Sequence, residues 1–207
     1  MSKLIIVRHG QTLWNLEKKY QGHSDIALSD EGLVQAAAVA ERLAAEKIDA
    51  VYASDLSRAF KTAEGIAAKH SLAVNIVPEL REIKFGDWEG LCYEQISERW
   101  PGLLGKLWAT PDEVEIPGGE TFTQLKERAY AAITKIVAAH PEQTTAIVAH
   151  GGTISTIICA MLDIHLNRVW SIRQDNTAVN IIDYYHGRPM LSLLNCTRHL
   201  KTATEIH

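Results

Sequence analysis

Two apolar segments of this 207-residue chain, far apart in the sequence, end in the same dipeptide. Residues 4–10 are Leu-Ile-Ile-Val-Arg-His-Gly, and residues 144–151 are Thr-Thr-Ala-Ile-Val-Ala-His-Gly. Short runs of mostly β-branched apolar residues are typical of strands buried in a sheet. Ligands of open α/β sheets bind beyond the carboxyl ends of the strands. We therefore expect His9 and His150 to reach one common site.

The order of the remaining patterns indicates an α/β fold. Apolar runs predict further strands at 49–53 and 74–77, and helical segments separate all four strands. This alternation predicts a mostly parallel central sheet with helices on both faces. The last two predicted strands, 178–185 and 189–194, are joined by a short turn and predict an antiparallel hairpin at the sheet edge. A second copy of the chain could pair with this edge to form a homodimer.

Capping residues place the helices. Ser29, followed by two acidic residues, predicts the start of a helix that runs to residue 47. Ser54 predicts the start of a second helix, and the capping-box pattern at Thr121 predicts a third that runs to residue 140. A fourth helix is predicted over 152–162. The inner face of the first of these helices is predicted to consist of Leu33, Ala36, Ala37, Ala40 and Leu43.

Residues 83–120 differ in character from the rest of the chain. Glycines and prolines interrupt the segment, and one helix is predicted in it, over 93–99. Structureless segments of this length are usually functional or disordered, and its aromatic content argues against disorder. We therefore expect a single domain over 1–207 in which 83–120 forms an inserted cap. The aromatic residues expected to shape that cap are Phe85, Trp88, Trp100 and Trp108.

Composition narrows the class of protein. A net charge of −4 makes nucleic acid an unexpected partner, and no apolar run reaches the roughly 18 residues needed to span a membrane. The three cysteines, without metal-ligand spacing, are typical of free thiols in a reducing compartment. The first three residues leave no room for a signal peptide before the first strand. We expect a cytoplasmic enzyme.

Four cationic or imidazole side chains could surround a phosphoryl group. They are Arg8, His9 and His150 at the two strand ends, and Arg58 in the first turn of the helix after residue 53. Taken singly, each is more often structural than catalytic. Together they offer bidentate hydrogen bonds to phosphate and a neutral imidazole that can attack phosphorus. Gly10 is expected to let a backbone amide approach the ligand closely.

The leaving group and the rim of the site need further residues. Glu82 is the candidate acid, because a carboxyl group beside a bound phosphate is disfavoured in its ionised form. The helix that begins near Gly151 offers amide donors to an anion. Fixed cations would remove the need for a metal ion. The loop 11–28 supplies the side chains that could reach a ligand, which are Trp14, Asn15, Tyr20, Gln21, Gly22 and His23.

Other reaction classes lack their motifs. A serine hydrolase needs a Gly-x-Ser-x-Gly turn, and the chain has none. It also has no phosphate-binding Walker loop, no dinucleotide-binding glycine fingerprint and no His-Glu-x-x-His zinc spacing.

The segment 4–15 resembles the signature of the histidine phosphatase superfamily, the phosphoglycerate-mutase-like enzymes. Further motifs follow in order over nearly the whole chain, at residues 20–22, 28–32, 54–59, 80–82, 85–90, 117–120 and 148–152. The resemblance implies a phosphohistidine intermediate on His9 and no metal or organic cofactor. It implies that Arg8, Arg58 and His150 complete the phosphate pocket and that Glu82 is the acid/base. Asn15, Gln21 and Gly22 would lie at the substrate rim.

Within this family we favour a phosphatase acting on a small phosphate monoester. Residues 83–120 hold eight acidic and three basic residues, and such a lid should disfavour bisphosphates. Chain length and the closing segment resemble α-ribazole phosphatases and mutase-like phosphoserine phosphatases, although Phe85 stands where the serine-specific enzymes are expected to have histidine. A phosphoglycerate mutase-type isomerase and a catalytically silent binding protein of the same fold are the alternatives. The natural substrate is left open.

Overall fold

The computed structural model describes residues 2–200 and is built on a six-stranded sheet. In chain order, the strands are β1 (Ser2–Arg8), β2 (Ala50–Ala53), β3 (Val74–Ile76), β4 (Thr144–Ala149), β5 (Val179–Tyr185) and β6 (Arg188–Cys196). Their order across the sheet is β3-β2-β4-β1-β5-β6. The first four strands in this order run parallel, while β5 and β6 are antiparallel to their neighbours. This confirms the mostly parallel sheet with an antiparallel hairpin at its edge.

Seven α-helices connect the strands within the described residues. Short 3₁₀ turns lie at Pro78–Leu80, Gly86–Trp88, Pro111–Glu113, Leu166–Ser171 and Arg198–Leu200. None of the helices in the described part of the chain is long and apolar enough to cross a membrane. The helices are α1 (Leu13–Leu16), α2 (Asp30–Leu43), α3 (Ser57–Lys69), α4 (Tyr93–Arg99), α5 (Leu103–Ala109), α6 (Phe122–Ala139) and α7 (Gly151–Met161).

The side-chain alternation of β1 divides the core into two layers. Ile5 and Val7 pack with buried residues of α2 and α3 on one face of the sheet. Leu4 and Ile6 pack with α6 and α7 on the other face. Successive side chains of a strand point to opposite faces, so one buried strand serves both layers. The helices therefore cover both faces of the sheet, as predicted.

One helix end and one helix start differ from the prediction. Helix α2 begins after its cap Ser29 as expected, but it ends at Leu43 rather than at residue 47. Ser54 does not cap α3. The residue before that helix is Leu56, and the amide and hydroxyl of Ser57 donate to Asp25, 32 residues earlier. A tertiary contact that no local pattern records thus sets where α3 begins.

The predicted inner face of α2 is correct in part. Three of its five predicted residues are buried, but Leu33 is 46% exposed and Ala37 is also exposed. Gln35 and Val39 turn inward instead. Apolar residues lie on nearly all sides of this alanine-rich helix, so its hydrophobic pattern leaves the orientation of the helix ambiguous.

The segment 83–120 is more regular than its sequence indicates. Helix α4 has the predicted bounds, but α5 was not predicted. Trp88 and Ile96 are fully buried and belong to the same core cluster as α6 and α7. The segment is thus packed into the larger hydrophobic layer. That 83–120 is a cap inserted into a single domain stays a prediction.

Candidate active site

The two histidines follow neighbouring strands. β1 pairs with β4, and Arg8 lies opposite Ala149 in the register. The amide of His9 donates to the carbonyl of Ala149 at 3.0 Å, which continues the ladder by one residue. The ring centroids of His9 and His150 are 5.1 Å apart. The structure therefore brings the two predicted residues together although they are 141 positions apart in the chain.

The ring of His9 is held by the next residue. Its Nδ1 lies 2.6 Å from the carbonyl oxygen of Gly10. A carbonyl can only accept, so Nδ1 carries the proton and Nε2 keeps its lone pair. Burial, together with the positive charges of Arg58 and Arg8, holds the pKa of His9 well below its ordinary value of 6.5. The ring is therefore neutral at neutral pH.

His150 is buried completely, and neither of its ring nitrogens has a hydrogen-bond partner in the described part of the chain. Burial first, and then the charge of Arg58, keeps the pKa of His150 well below its ordinary value. A buried, neutral imidazole with two unpaired nitrogens can donate one hydrogen bond to a ligand.

Arg8 and Arg58 bring two guanidinium groups to the same place. Arg8 Nη1 donates to the carbonyl of Gln174 at 2.6 Å, and Arg58 donates to the carbonyls of Gly22 and Ser24, both at 2.8 Å. The Nε atoms of both arginines are buried and lack a partner among residues 2–200. Burial lowers the pKa of Arg58 to about 10, so both groups stay charged near neutral pH. Each retains donors for an anion.

Glu82 lies at the amino end of α7. Its carboxylate accepts hydrogen bonds from the amides of Gly152 and Thr153, both at 3.0 Å, and from the Thr153 hydroxyl at 3.2 Å. The amide of Ile83 also donates to it, at 3.0 Å. The amino end of a helix favours negative charge. The amide donors expected for the ligand are thus directed at Glu82.

A cavity of about 290 Å³ joins these groups. Seven of the predicted site residues line it, whereas His150 and Gly151 are not among its lining residues. The aromatic Trp14, Tyr20, Phe85 and Trp108 also line it, and Trp170 was not predicted. The seven are Arg8, His9, Asn15, Gln21, Gly22, Arg58 and Glu82.

The rim residues are fixed by the loop after β1. The amide of Thr12 donates to the side-chain oxygen of Asn15 at 3.0 Å. The hydroxyl of Thr12 donates to the side-chain oxygen of Gln21, also at 3.0 Å. The amide and hydroxyl of Ser24 donate to Glu89, at 2.9 and 2.6 Å. The carbonyl of Ser24 also accepts a hydrogen bond from Arg58, so Ser24 connects the Glu89 carboxylate to the guanidinium of Arg58.

The expectation for Gly10 was wrong. Its amide donates to the Thr62 hydroxyl at 3.1 Å and is not offered to a ligand. A Cβ at Gly10 would lie 2.5 Å from the carbonyl oxygen of Gly32, so the glycine is required by close packing of the loop on α2. At Gly151, a Cβ would meet Arg8 at an ordinary 3.5 Å.

The acidic residues of 83–120 do not line the cavity, and all eight lie within the described part of the chain. The charged rim residues are instead Lys18 and Lys19, from the loop after β1. Lys19 pairs with Glu17 at 2.7 Å and lies 5.9 Å above the ring of Trp14. The repulsion of bisphosphates by an acidic lid therefore has no support in the lining of the cavity.

Several residues around the site gave no signal in the sequence analysis. Asn176 donates to the carbonyl of His9 at 3.1 Å, and Thr153 holds Glu82. Arg128 binds the backbone next to Glu82. Each acts across a long sequence separation, which a local pattern cannot show. Among residues 2–200, no three His, Cys, Asp or Glu side chains form a group that could hold a metal ion.

A protein-family model for the histidine phosphatase superfamily (branch 1) matches residues 4–197. The chain therefore belongs to this superfamily, and the resemblance of the sequence motifs is confirmed. Its fold is the phosphoglycerate-mutase-like α/β fold.

The names of individual relatives include a phosphoserine phosphatase and a phosphoglycerate mutase-like protein. Phosphoserine phosphatase 1 from Hydrogenobacter thermophilus is 34% identical over 97% of this chain and 95% of that protein. Phosphoglycerate mutase-like protein 4 from Arabidopsis thaliana is 43% identical over 75% of this chain and 69% of that protein.

Among solved structures, a mutant of Entamoeba histolytica phosphoserine phosphatase in complex with phosphoserine has a TM-score of 0.88 and 30% identity. The match covers 97% of this chain and 100% of that one. With the family match and the phosphatases among these relatives, the predicted class, a hydrolase of the histidine phosphatase superfamily, is confirmed.

Proposed function

We propose that the protein is a metal-independent phosphatase that hydrolyses a small phosphate monoester through a phosphohistidine intermediate on His9. Glu82 acts as the general acid and then as the general base. The observation that carries the proposal is the neutral ring of His9, whose Nδ1 is bound to the Gly10 carbonyl and whose Nε2 has no hydrogen-bond partner among residues 2–200, close to the charges of Arg8 and Arg58.

In the first step, Nε2 of His9 attacks phosphorus and the bond to the ester oxygen breaks. Glu82, as a carboxylic acid, gives its proton to the leaving alkoxide. In the second step, the Glu82 carboxylate takes a proton from water, the water oxygen bonds to phosphorus, and the nitrogen–phosphorus bond breaks. The two steps together return His9 to its neutral, unphosphorylated form and Glu82 to its protonated form.

Arg8, Arg58 and His150 act on the charge of the transferring group. Phosphoryl transfer depends mainly on positioning and electrostatic stabilisation, and buried donors are worth more than exposed ones. Two guanidinium groups supply the positive charge that a divalent cation supplies in other phosphoryl-transfer enzymes, which supports a metal-independent reaction. Asn15, Gln21, Gly22 and Gly151 complete the substrate site.

The cavity favours a small alcohol with an apolar or partly anionic body. Its volume of about 290 Å³ is at the lower end for ligand pockets, and aromatic rings and two lysines surround its mouth. Phosphoserine fits these limits and is in the name of a relative.

The three cysteines are unpaired in the structure, which supports the proposed cytoplasmic location.

The proposal is tested with an aryl phosphate in excess chelator, on the wild type and on His9→Ala. We expect the wild type to release phosphate and the variant to lose activity. Acid-labile phosphate should be trapped on the wild type alone during rapid quenching. His186→Ala, in the exposed turn of the β5–β6 hairpin, is the matched control. Phosphate release by His9→Ala at the wild-type rate would refute the intermediate.

A mutase-type isomerase is the second candidate, because Lys18 and Lys19 line the cavity and the Arabidopsis relative is named as phosphoglycerate mutase-like. It requires transfer between hydroxyl groups of a phosphoglycerate. We expect no interconversion of phosphoglycerates with or without a bisphosphate primer. Phosphate should be released from the phosphoglycerates in both conditions. Primer-dependent interconversion faster than phosphate release would establish the mutase instead.

A further inference from the structure

Glu82 lies in a segment without regular structure. It comes after the 3₁₀ turn Pro78–Leu80 and before the turn Gly86–Trp88, so no helix or strand fixes its backbone. A general acid must nevertheless be held within a fraction of an ångström of the leaving oxygen, and a displacement of about 1 Å costs on the order of 10²-fold in rate. Contacts from outside the segment must supply this precision.

Arg128, on α6, supplies three of them to the backbone. Its Nη1 donates to the carbonyls of Glu79 and Arg81 at 2.6 and 2.9 Å, and its Nη2 donates to the carbonyl of Glu82 at 2.9 Å. Three carbonyls within four residues thus bind one planar group. This arrangement fixes the backbone on both sides of the peptide that carries the Glu82 side chain.

The guanidinium is itself fixed. Glu120 accepts from Nε of Arg128 at 2.6 Å and from Nη2 at 2.8 Å, a bidentate pair. With the three carbonyls, this pair uses all five N–H groups of the arginine. The side chains of Arg128 and Glu120 are only 21% and 13% exposed. A lysine has three donors on one nitrogen and cannot reproduce the planar fork.

Arg128 does not line the cavity that contains His9 and Arg58. It lies behind Glu82, along a separate cleft formed with residues of α6 and with Val77 and Glu79. The contacts of Arg128 therefore do not indicate a direct role in binding phosphate.

We infer that Arg128 is a positioning residue for Glu82: it holds the carbonyls of residues 79, 81 and 82 so that the Glu82 carboxyl group meets the leaving oxygen. The inference rests on the proposed function, since it assumes that Glu82 transfers the proton. Its consequence is specific. Loss of Arg128 should impair formation of the phosphoenzyme only where a proton must reach the leaving group, whereas hydrolysis of the phosphoenzyme, in which Glu82 is the base, should slow for every substrate.

The test compares substrates with good and poor leaving groups. For Arg128→Lys, we expect the single-turnover rate of alcohol release from an alkyl phosphate, which reports phosphoenzyme formation, to fall on the order of 10- to 100-fold with substrate affinity changed little. The corresponding rate for p-nitrophenyl phosphate, whose leaving group needs no proton, should stay within about twofold. Arg99→Lys, an exposed arginine on the short helix α4, is the matched control and should match the wild type on both substrates.

A double variant separates positioning from general support of the fold. If Arg128 acts through Glu82, adding Arg128→Lys to Glu82→Gln should cost nothing further on the alkyl phosphate. An equal loss on both substrates, or a further loss in the double variant, would overturn the inference. Should Arg128→Lys fail to fold, Glu120→Gln, which frees one side of the guanidinium, takes its place with the same two criteria.

Failure of the proposed function gives a different result. If Glu82→Gln alone slows phosphoenzyme formation from the alkyl phosphate no more than from the aryl phosphate, Glu82 is not the general acid. The proposed mechanism and the role of Arg128 would then both be wrong. If Glu82→Gln shows the difference and Arg128→Lys does not, only the role of Arg128 is wrong.

Discussion

The ends of β1 and β4 are nearly identical in sequence, but the chain continues differently after each of them. After β1 the chain enters the segment 11–28, which contains the four-residue helix α1, and His9 lines the cavity with its Nδ1 bound to the next carbonyl. After β4 the chain enters α7 at once, and the ring of His150 is buried with both nitrogens unpaired among residues 2–200. The same sequence pattern thus places the two histidine rings in different environments.

The difference indicates how the two roles are divided. A ring whose Nδ1 proton is fixed presents one defined lone pair, as a nucleophile requires. A ring without partners can choose which nitrogen donates to an oxygen that gains charge during the reaction. The strand ends place the histidines, and the loop or helix after each strand decides what each histidine can do.

Replacing each histidine by alanine should separate these roles most strongly. We expect His9→Ala to lose on the order of 10⁴-fold or more in kcat, as for removal of a catalytic nucleophile. His150→Ala should lose about 10²- to 10³-fold, as for removal of one stabilising donor, and should still form the phosphoenzyme. Steady-state rates with a chelator present and trapping of labelled phosphate measure both effects.

The ranking of the two variants decides whether the comparison holds. If His150→Ala is the more damaging change and abolishes the trapped phosphate while His9→Ala does not, the nucleophile has been assigned to the wrong strand end. Thermal unfolding of both variants shows whether either loss reflects an unfolded protein.

The glycines next to the two histidines provide a second contrast, in stability. Alanine at Gly10 would place its Cβ 2.5 Å from the backbone oxygen of Gly32, and we expect a loss of about 1–3 kcal/mol in the free energy of unfolding. Alanine at Gly151 makes an ordinary contact with Arg8, and we expect a change within about 0.5 kcal/mol. Urea unfolding measures both, and equal losses would contradict the close packing at Gly10.

Acid pH should weaken the fold through the same two histidines. Their pKa values are lowered in the folded protein, so below pH 6.5 the unfolded chain binds more protons, and the free energy of unfolding falls as the pH falls. Each histidine contributes at most about 1.4 kcal/mol per pH unit in this window. We expect His9→Gln and His150→Gln each to reduce this slope in urea unfolding between pH 7.5 and 5.5. An unchanged slope in both would show that neither ring is buried in its neutral form.

Much of this arrangement can be predicted from local patterns. Alternation of strands and helices, together with His-Gly at two strand ends, was enough to bring His9 and His150 together, because parallel strands end at the same edge of a sheet. Arg58 could be placed because it comes one turn after such an edge.

The features that local patterns could not predict depend on distant partners. The start of α3 is set by Asp25, the orientation of α2 by packing on α3, and the backbone of Glu82 by Arg128. The acidic residues of 83–120 were assigned to the pocket by count alone, and an irregular segment has no period that shows which side chains face inward.

The smallest expected effect concerns the substrate body. The loop after His9 brings Lys18 to the cavity, whereas α7, after His150, contains no charged residue. We expect Lys18→Gln to raise KM about two- to fivefold for monophosphates that carry a carboxylate, such as phosphoserine, because an exposed ion pair contributes about 0.2–1 kcal/mol. KM for p-nitrophenyl phosphate should not change, and Lys61→Gln on α3 is the control. Because salt screens exposed charges, the difference should shrink in 1 M salt. If KM rises equally for both substrates, the Lys18 side chain interacts only with the phosphate group. Selection of the rest of the substrate must then come from the aromatic residues that line the cavity.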